Sequence, residues 1–156
     1  MTVMKAWIAG TAYDNANVEI DMPNESIKLL LVQGIATNST AYIDKSKNPD
    51  KPEHIGNKTE CALLDFCDKI PIHINETIRY NYHTVRKDYP IKKMYPFSST
   101  KKTMSTLIEP QNNVCRLFTK GASEIIVERC QYAINERGEK VDINTVKSEV
   151  NRVISE

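Results

Sequence analysis

The side chains able to do chemistry in this chain fall into two groups: thiols with imidazoles, and polar residues gathered around three short motifs. Cys61, Cys67, His73 and His83 lie within 23 positions of one another, close enough for zinc to be considered. Their spacing holds no C-x-x-C or H-x-x-x-H pair, and Cys61 and Cys67, six apart, fall on different faces of a helix. A cysteine nucleophile served by His54 or His83 needs a thiol of lowered pKa, and no neighbouring residue marks one. Phosphate cradles are missing as well. There is no G-x-x-x-x-G-K-[ST] loop and no G-x-G-x-x-G after a strand, and the five glycines are scattered. P-loop and Rossmann enzymes are thereby excluded.

The three motifs are Gly56-Asn57-Lys58-Thr59-Glu60-Cys61-Ala62-Leu63, then Tyr95-Pro96-Phe97-Ser98-Ser99-Thr100-Lys101-Lys102-Thr103-Met104-Ser105, then Lys120-Gly121-Ala122-Ser123-Glu124. Each has a plain structural account. Glu60, three residues after Asn57, fits a capping box. Phe97 shares its parity with Ile91 and Tyr95 and fits a strand core. Lys101 and Lys102 fit a solvated strand end, and Lys120-Gly121 a strand-to-helix turn. Together, in this order and at these distances, the motifs resemble the cytosolic nucleotide-binding domain of P-type ATPases, most closely that of plasma-membrane-type calcium pumps. The wording G-N-K-T-E-C-A-L with K-G-A-S-E, and Cys130 at its place, favour the calcium branch. Met1-Thr2-Val3 is similar to the residues that follow the family's phosphorylation motif, so the resemblance covers the whole chain.

The resemblance implies that Phe97 stacks on adenine, Lys120 closes the other side of the pocket, and Glu60 reaches the adenine amino group. It implies that Lys102 faces the phosphates and that Met104 and Gly121 line the cleft. These residue types suit such roles. A stacked aromatic face is worth about 1 to 3 kcal/mol per base, a carboxylate accepts from an exocyclic amine, and lysine brings a point charge to phosphate. Ser99 stands where some calcium pumps carry a phosphate-holding arginine, and Lys101 where many relatives have arginine, so those contacts are expected to be absent or weaker. The resemblance further implies ATP or ADP as ligand. Mg²⁺, the phosphate-accepting aspartate and catalysis belong to the full-length parent, a calcium-transporting ATPase. The phosphorylation and actuator domains of the same parent chain are the expected partners, without nucleic acid and without membrane insertion by this segment. The parent is expected at the cytosolic face of a membrane, either the plasma membrane or an internal calcium store. A nucleotide-contacting strand is expected to follow Glu156.

These residues need elements to position them. A strand is predicted over Thr2 to Ala9, ended by Gly10, with Asn17 to Ile20 as a short partner. A helix from about Glu25 to Asn38 carries Ile27, Leu30, Leu31, Gly34 and Ile35 at helical spacing. Positions 44–56, rich in Lys, Asp, Pro and Asn, predict a flexible loop. Asn57 opens a helix to about Lys69. Asn75 and Glu76 open another through Ile78, Tyr82, Val85 and Tyr89, stopped by Pro90. Three antiparallel strands follow (Ile91 to Phe97, Thr103 to Glu109, Val114 to Thr119), the last two joined by the turn Pro110-Gln111-Asn112-Asn113. A helix with Ile125, Ile126 and Cys130, a hairpin about Glu136 to Glu139, and a helix striped by Val146, Val150, Val153 and Ile154 complete the chain. The class is α+β, an antiparallel β-sheet flanked by helices, and the resemblance implies that residues 1–156 are a nucleotide-binding domain fragment truncated at its C-terminal end.

Composition agrees with a local binding function. At 156 residues the chain is one domain in size, and 21 basic against 20 acidic residues leave a net charge of +1, with no global field to steer nucleic acid or anionic lipid. Neither a leader-like start nor an apolar run of membrane-spanning length occurs, so a soluble cytosolic chain is expected. Four cysteines predict reduced thiols, and the Asn-x-Ser/Thr triplets at Asn24, Asn38, Asn57 and Asn75 are better explained by helix capping than by glycosylation. The alternatives are an interaction module docking through Tyr80, Tyr82 and Tyr89, and a self-sufficient ATP-hydrolysing enzyme.

Overall fold

Short hairpins alternate with amphipathic helices around one long meander. The computed structural model describes residues 1–16, 20, 22, 24–75, 78, 79 and 81–155. Strand β1 (Ala6–Ile8) turns through Ala9 and Gly10, at φ +53° and +92°, into β2 (Thr11–Tyr13). Two positive φ values in a two-residue loop match the right-handed twist of the flanking strands. The partner of β1 is therefore β2; most of the partner expected over Asn17 to Ile20, positions 17–19, lies outside the described residues.

Helix α1 (Glu25–Thr37) starts where Oδ1 of Asn24 accepts from the backbone N–H groups of Ser26 and Ile27 at 3.0 and 3.4 Å, satisfying donors that have no partner within the helix. The segment expected as a loop over 44–56 is gathered into a hairpin, β3 (Tyr42–Asp44) against β4 (Glu53–Ile55). Asn57 caps α2 (Lys58–Cys67) through Thr59 and Glu60. A two-stranded pair, β5 (His73–Asn75) and β6 (Ile78–Arg79), occupies the place where a helix beginning at Asn75 and Glu76 was expected. That helix, α3 (Tyr82–Asp88), begins later and is capped by Asn81, whose side chain accepts from His83 and Thr84. Position 76 lies outside the described residues.

The meander is β7 (Ile91–Ser98), β8 (Thr103–Gln111) and β9 (Val114–Gly121), antiparallel in the order β7-β8-β9. After it come α4 (Ser123–Arg129), the hairpin β10 (Tyr132–Ile134) with β11 (Lys140–Asp142), a 3₁₀ turn over Ile143–Thr145, and α5 (Lys147–Ser155). This is the expected α+β architecture. The core joins α1, α2 and α3 through Val32, Ala36, Leu64, Ile70, Tyr82 and Val85, each nearly free of solvent contact. The meander closes onto α1, with Ile108 and Met104 of β8 buried and the Phe118 ring set against Gly34. A Cβ on Gly34 would lie 3.0 Å from that ring. Helices α4 and α5 bury no residue fully. No helix among the described residues is long and apolar enough to cross a membrane.

Tyr82, offered by the sequence as part of a docking face, is a core residue at 1% exposure. Its hydroxyl oxygen accepts the N–H of Ile43 at 3.1 Å. Tyr89 packs partly against the same core, and position 80 lies outside the described residues. All four cysteines are free thiols, Cys61 and Cys67 buried. Burial, reinforced by the charge of Asp68, pushes the Cys67 thiol far above its ordinary range. Burial also raises that of Cys61, with Asp65 and Glu60 adding to it. Neither is a thiolate nucleophile at neutral pH.

Candidate functional site

The site is assembled from the end of the meander, the start of α2 and the corner that follows α1. Asn57 holds the first turn of α2, and this places Glu60 one turn inside, 7% exposed. The capping-box account sends the Glu60 carboxylate back to the helix start. In the structure it turns instead to the corner at residues 39–41: Oε2 accepts from the N–H of Thr40 at 2.9 Å, the N–H of Ala41 at 3.0 Å, and the hydroxyls of Thr40 and Ser39 at 3.1 and 3.2 Å. Oε1 accepts from Nζ of Lys120 at 2.6 Å. Burial pushes this carboxyl upward, but the hydrogen bonds from Lys120, Thr40 and Ala41, with the lysine charge, outweigh it and hold the group below the usual glutamate value.

Lys120 comes from β9, where it pairs with Met104 of β8. Its ammonium also donates to the carbonyl of Asn38 at 2.5 Å. An ammonium carries three protons, and two of them are placed on partners among the described residues. By the same count the two oxygens of Glu60 differ. Among the described residues Oε2 is surrounded by four donors, whereas Oε1 has one and retains a lone pair.

Phe97 reaches the same region through an irregularity in β7. Tyr95 pairs with Ser105 and Ser98 with Thr103, so Pro96 and Phe97 together oppose the single residue Met104. This is a β-bulge, and a bulge re-aims side chains. It leaves Phe97 64% exposed on the strand next to the one bearing the Met104–Lys120 pair. The strand-core account of Phe97 does not hold. Lys102 sits in the β7–β8 turn at φ +52°, its N–H donating to the carbonyl of Ser98 at 2.6 Å and its side chain in solvent. The Lys102 carbonyl accepts from Ala122 at 3.4 Å and abuts Gly121. A Cβ on Gly121 would strike that oxygen and lie 2.8 Å from Cγ2 of Thr103, so glycine is required here by close approach. Gly56, at φ +108°, similarly lets α2 begin against Ala41, whose Cα an added Cβ would meet at 3.0 Å.

The structure thus joins Glu60 to Lys120, pairs Lys120 with Met104 and sets the Phe97 bulge opposite Met104, with Gly121 and Lys102 at the end of the sheet. An apolar cleft of about 610 Å³ opens beside them between α1 and the β9 edge; Asn38, Ser39, Glu60 and Lys120 form its polar end, but Phe97, Lys102 and Met104 do not line it. The Glu60–Lys120 pair therefore borders that cleft, while Phe97 lies off it on β7. Among the described residues no group of three His, Cys, Asp or Glu gathers as metal ligands.

Sequence reasoning missed the corner itself. Asn38 is 2% exposed; its side-chain amide donates to the carbonyls of Met104 at 3.2 Å and Phe118 at 3.4 Å and accepts from the Thr106 hydroxyl at 3.0 Å. It ties α1 to both strands that carry the site. The available signal was the run Asn38-Ser39-Thr40 at a helix end, which a triplet search files under glycosylation. Asn24 and Asn57 are N-caps, as capping predicts.

The profile of the family described as P-type ATPase, cytoplasmic domain N, matches residues 26–156. The chain is 37% identical, over its whole length, to plasma membrane calcium-transporting ATPase 4 of Bos taurus, of which it covers 13%. With the human ATPase 4 the identity is 38% over 90% of this chain and 11% of the relative. With calcium-transporting ATPase PAT1 of Dictyostelium discoideum it is 37% over 95% of this chain and 12% of the relative. The chain spans about an eighth of these proteins.

Proposed function

Since the chain belongs to the family of P-type ATPase cytoplasmic N domains, we propose that it is the ATP-binding domain of a calcium-transporting ATPase. Its role is to grip the adenine nucleotide and present the γ-phosphate to an aspartate in a separate domain of the parent. The single observation that carries this reading is the Glu60–Lys120 pair at 2.6 Å, each partner with hydrogen-bonding capacity to spare among the described residues, with the exposed Phe97 ring two strands away in the same meander. Adenine stacks on Phe97, its amino group donates to Oε1 of Glu60, and the third proton of Lys120 meets a ring nitrogen or the ribose side. Met104 and Gly121 border the base, and Lys102 faces the phosphates from the turn.

The arrangement suits a nucleotide base; among the described residues no carboxylate cluster gathers for Mg²⁺, which is assigned to the rest of the parent. The segment binds and orients; the phosphorylation and actuator domains complete the reaction, and domain closure links phosphoryl transfer to calcium movement. The parent works with this domain on the cytosolic face of the plasma membrane or of a calcium store.

Calorimetric titration tests the reading. ATP and ADP are expected to bind with affinities within a few-fold of each other, because the base supplies most of the grip, and no phosphate is released. Guanine presents a carbonyl where adenine has its amine, so GTP is expected to bind at least about 10-fold more weakly. Equal affinity for GTP and ATP would remove Glu60 from the base-reading role, and phosphate release would make the segment an enzyme in its own right.

A further inference from the structure

Arg86 on α3 is not near Phe97 in sequence order or by motif, yet its side chain ends on the corner that holds Glu60. Nε donates to the carbonyl of Ala36 at 2.7 Å, and Nη2 to the carbonyls of Ala41 at 2.8 Å and Ser39 at 3.4 Å. All three acceptors are backbone oxygens at or just beyond the last turn of α1, where helix carbonyls lack partners and favour a cation. Tyr82, one turn earlier on α3, lies under the guanidinium at 5.1 Å from ring centre to Cζ and takes the Ile43 N–H. One face of α3 thus clamps the chain from residue 36 to residue 43.

The Ser39 carbonyl and the Thr40 N–H belong to one peptide unit, which is planar and trans, so the two groups point in opposite directions. Arg86 holds the oxygen and Glu60 holds the N–H. The peptide is a bridge between a guanidinium and a carboxylate, and a hydrogen bond on one side polarises the one on the other. We propose that Arg86 is a positioning residue for the nucleotide site: through the 39–41 corner it fixes the Glu60 carboxylate so that Oε1 is presented to the base. This rests on the nucleotide reading for its consequence, though the Arg86–Glu60 coupling itself does not. A lysine at 86 keeps the charge but has no planar fork to span three carbonyls.

The test compares the wild-type protein with Arg86→Lys, using ADP and the diphosphate of purine riboside, which lacks the amino group. In the variant ADP is expected to bind about 5- to 10-fold more weakly, the worth of roughly one hydrogen bond, while the purine analogue changes by less than about twofold. Carbon-detected NMR of the Glu60 carboxyl is expected to show its titration moved up toward the ordinary glutamate value, with the Thr40 and Ala41 amides shifting alongside. Among the described residues, Lys120 of β9 lowers the Glu60 value and Glu60 in turn raises that of Arg86 on α3, and Lys120 is unchanged in the comparison. Equal losses for the two nucleotides would reduce Arg86 to a structural residue, and an unmoved Glu60 titration would overturn the coupling. If the variant does not fold, the wild-type Arg86 Nη2–H resonance, on the group that holds the Ser39 carbonyl, decides. It follows the Glu60 titration if the bridge exists, and an unresponsive resonance refutes it. A wild type that binds neither nucleotide contradicts the functional reading alone, since the titration still reads the bridge.

Discussion

Four donors crowd Oε2 of Glu60 while one approaches Oε1, and this asymmetry makes the charge at residue 60 hard to replace. In Glu60→Gln the amide nitrogen must face either the two backbone N–H groups or the lysine ammonium, a donor against donors in both orientations. Stability is expected to fall by about 1 to 3 kcal/mol, the cost of leaving buried partners unmatched, as read from urea unfolding at pH 7. The effect has a pH signature. Because the folded carboxyl titrates below the unfolded one, whose value is about 4.3, its stabilisation is complete above that pH and disappears as the pH falls through the folded value. The gap between wild type and Glu60→Gln is therefore constant at neutral pH and closes in acid; a gap that widened below pH 4 would contradict the assignment. The residue type and position of Glu60 were legible in the chain, but its partners were not. Helix-start reasoning looks three residues back to Asn57, whereas the groups that engage Glu60 lie about 20 residues upstream and 60 downstream, and only packing joins them.

At the scale of elements, the local rules worked where side chain and backbone interact within a few residues and failed where two readings used the same letters. Asn57 and Asn24 both precede helices and both cap them. Asn75 has the same look, and Ile78, Tyr82, Val85 and Tyr89 carry a helical period through it, yet the cap is Asn81 and Ile78 is in a strand. A helical stripe also fits a short hairpin that runs into a helix, and the second asparagine is the better boundary. The meander was legible from its period of two, but not the bulge at Pro96-Phe97, which depends on cross-strand register. Gly121 was legible as a glycine without its reason, the Lys102 carbonyl on the neighbouring turn. Gly121→Ala is expected to push the β7–β8 turn away from β9 at a cost of about 1 to 3 kcal/mol, with a lower thermal midpoint and shifted amides at Lys102 and Thr103. A variant as stable as the wild type would mean the turn yields freely.

For the whole molecule, packing is uneven in a way that suits a binding domain. The tight core lies among α1, α2 and α3, and from it the corner at 38–41 holds Glu60 and Lys120 fixed, while the Phe97 face of the meander stays open. Preorganised polar groups beside an exposed aromatic ring lower the cost of ordering a base on arrival. Val127 of α4 and Val150 of α5, helices that bury no residue fully, line the apolar cleft that Glu60 and Lys120 border. On the proposed reading adenine binds against Phe97 and not in that cleft. This is tested most directly by following isotope-labelled protein through titrations with ATP, AMP and GTP. Shifts at Phe97, Glu60 and Lys120 that depend on adenine are expected, with a loss of about 1 to 3 kcal/mol of binding in Phe97→Ala. Shifts confined to the cleft residues Leu30, Leu31 and Val127, or unchanged affinity in Phe97→Ala, would contradict it.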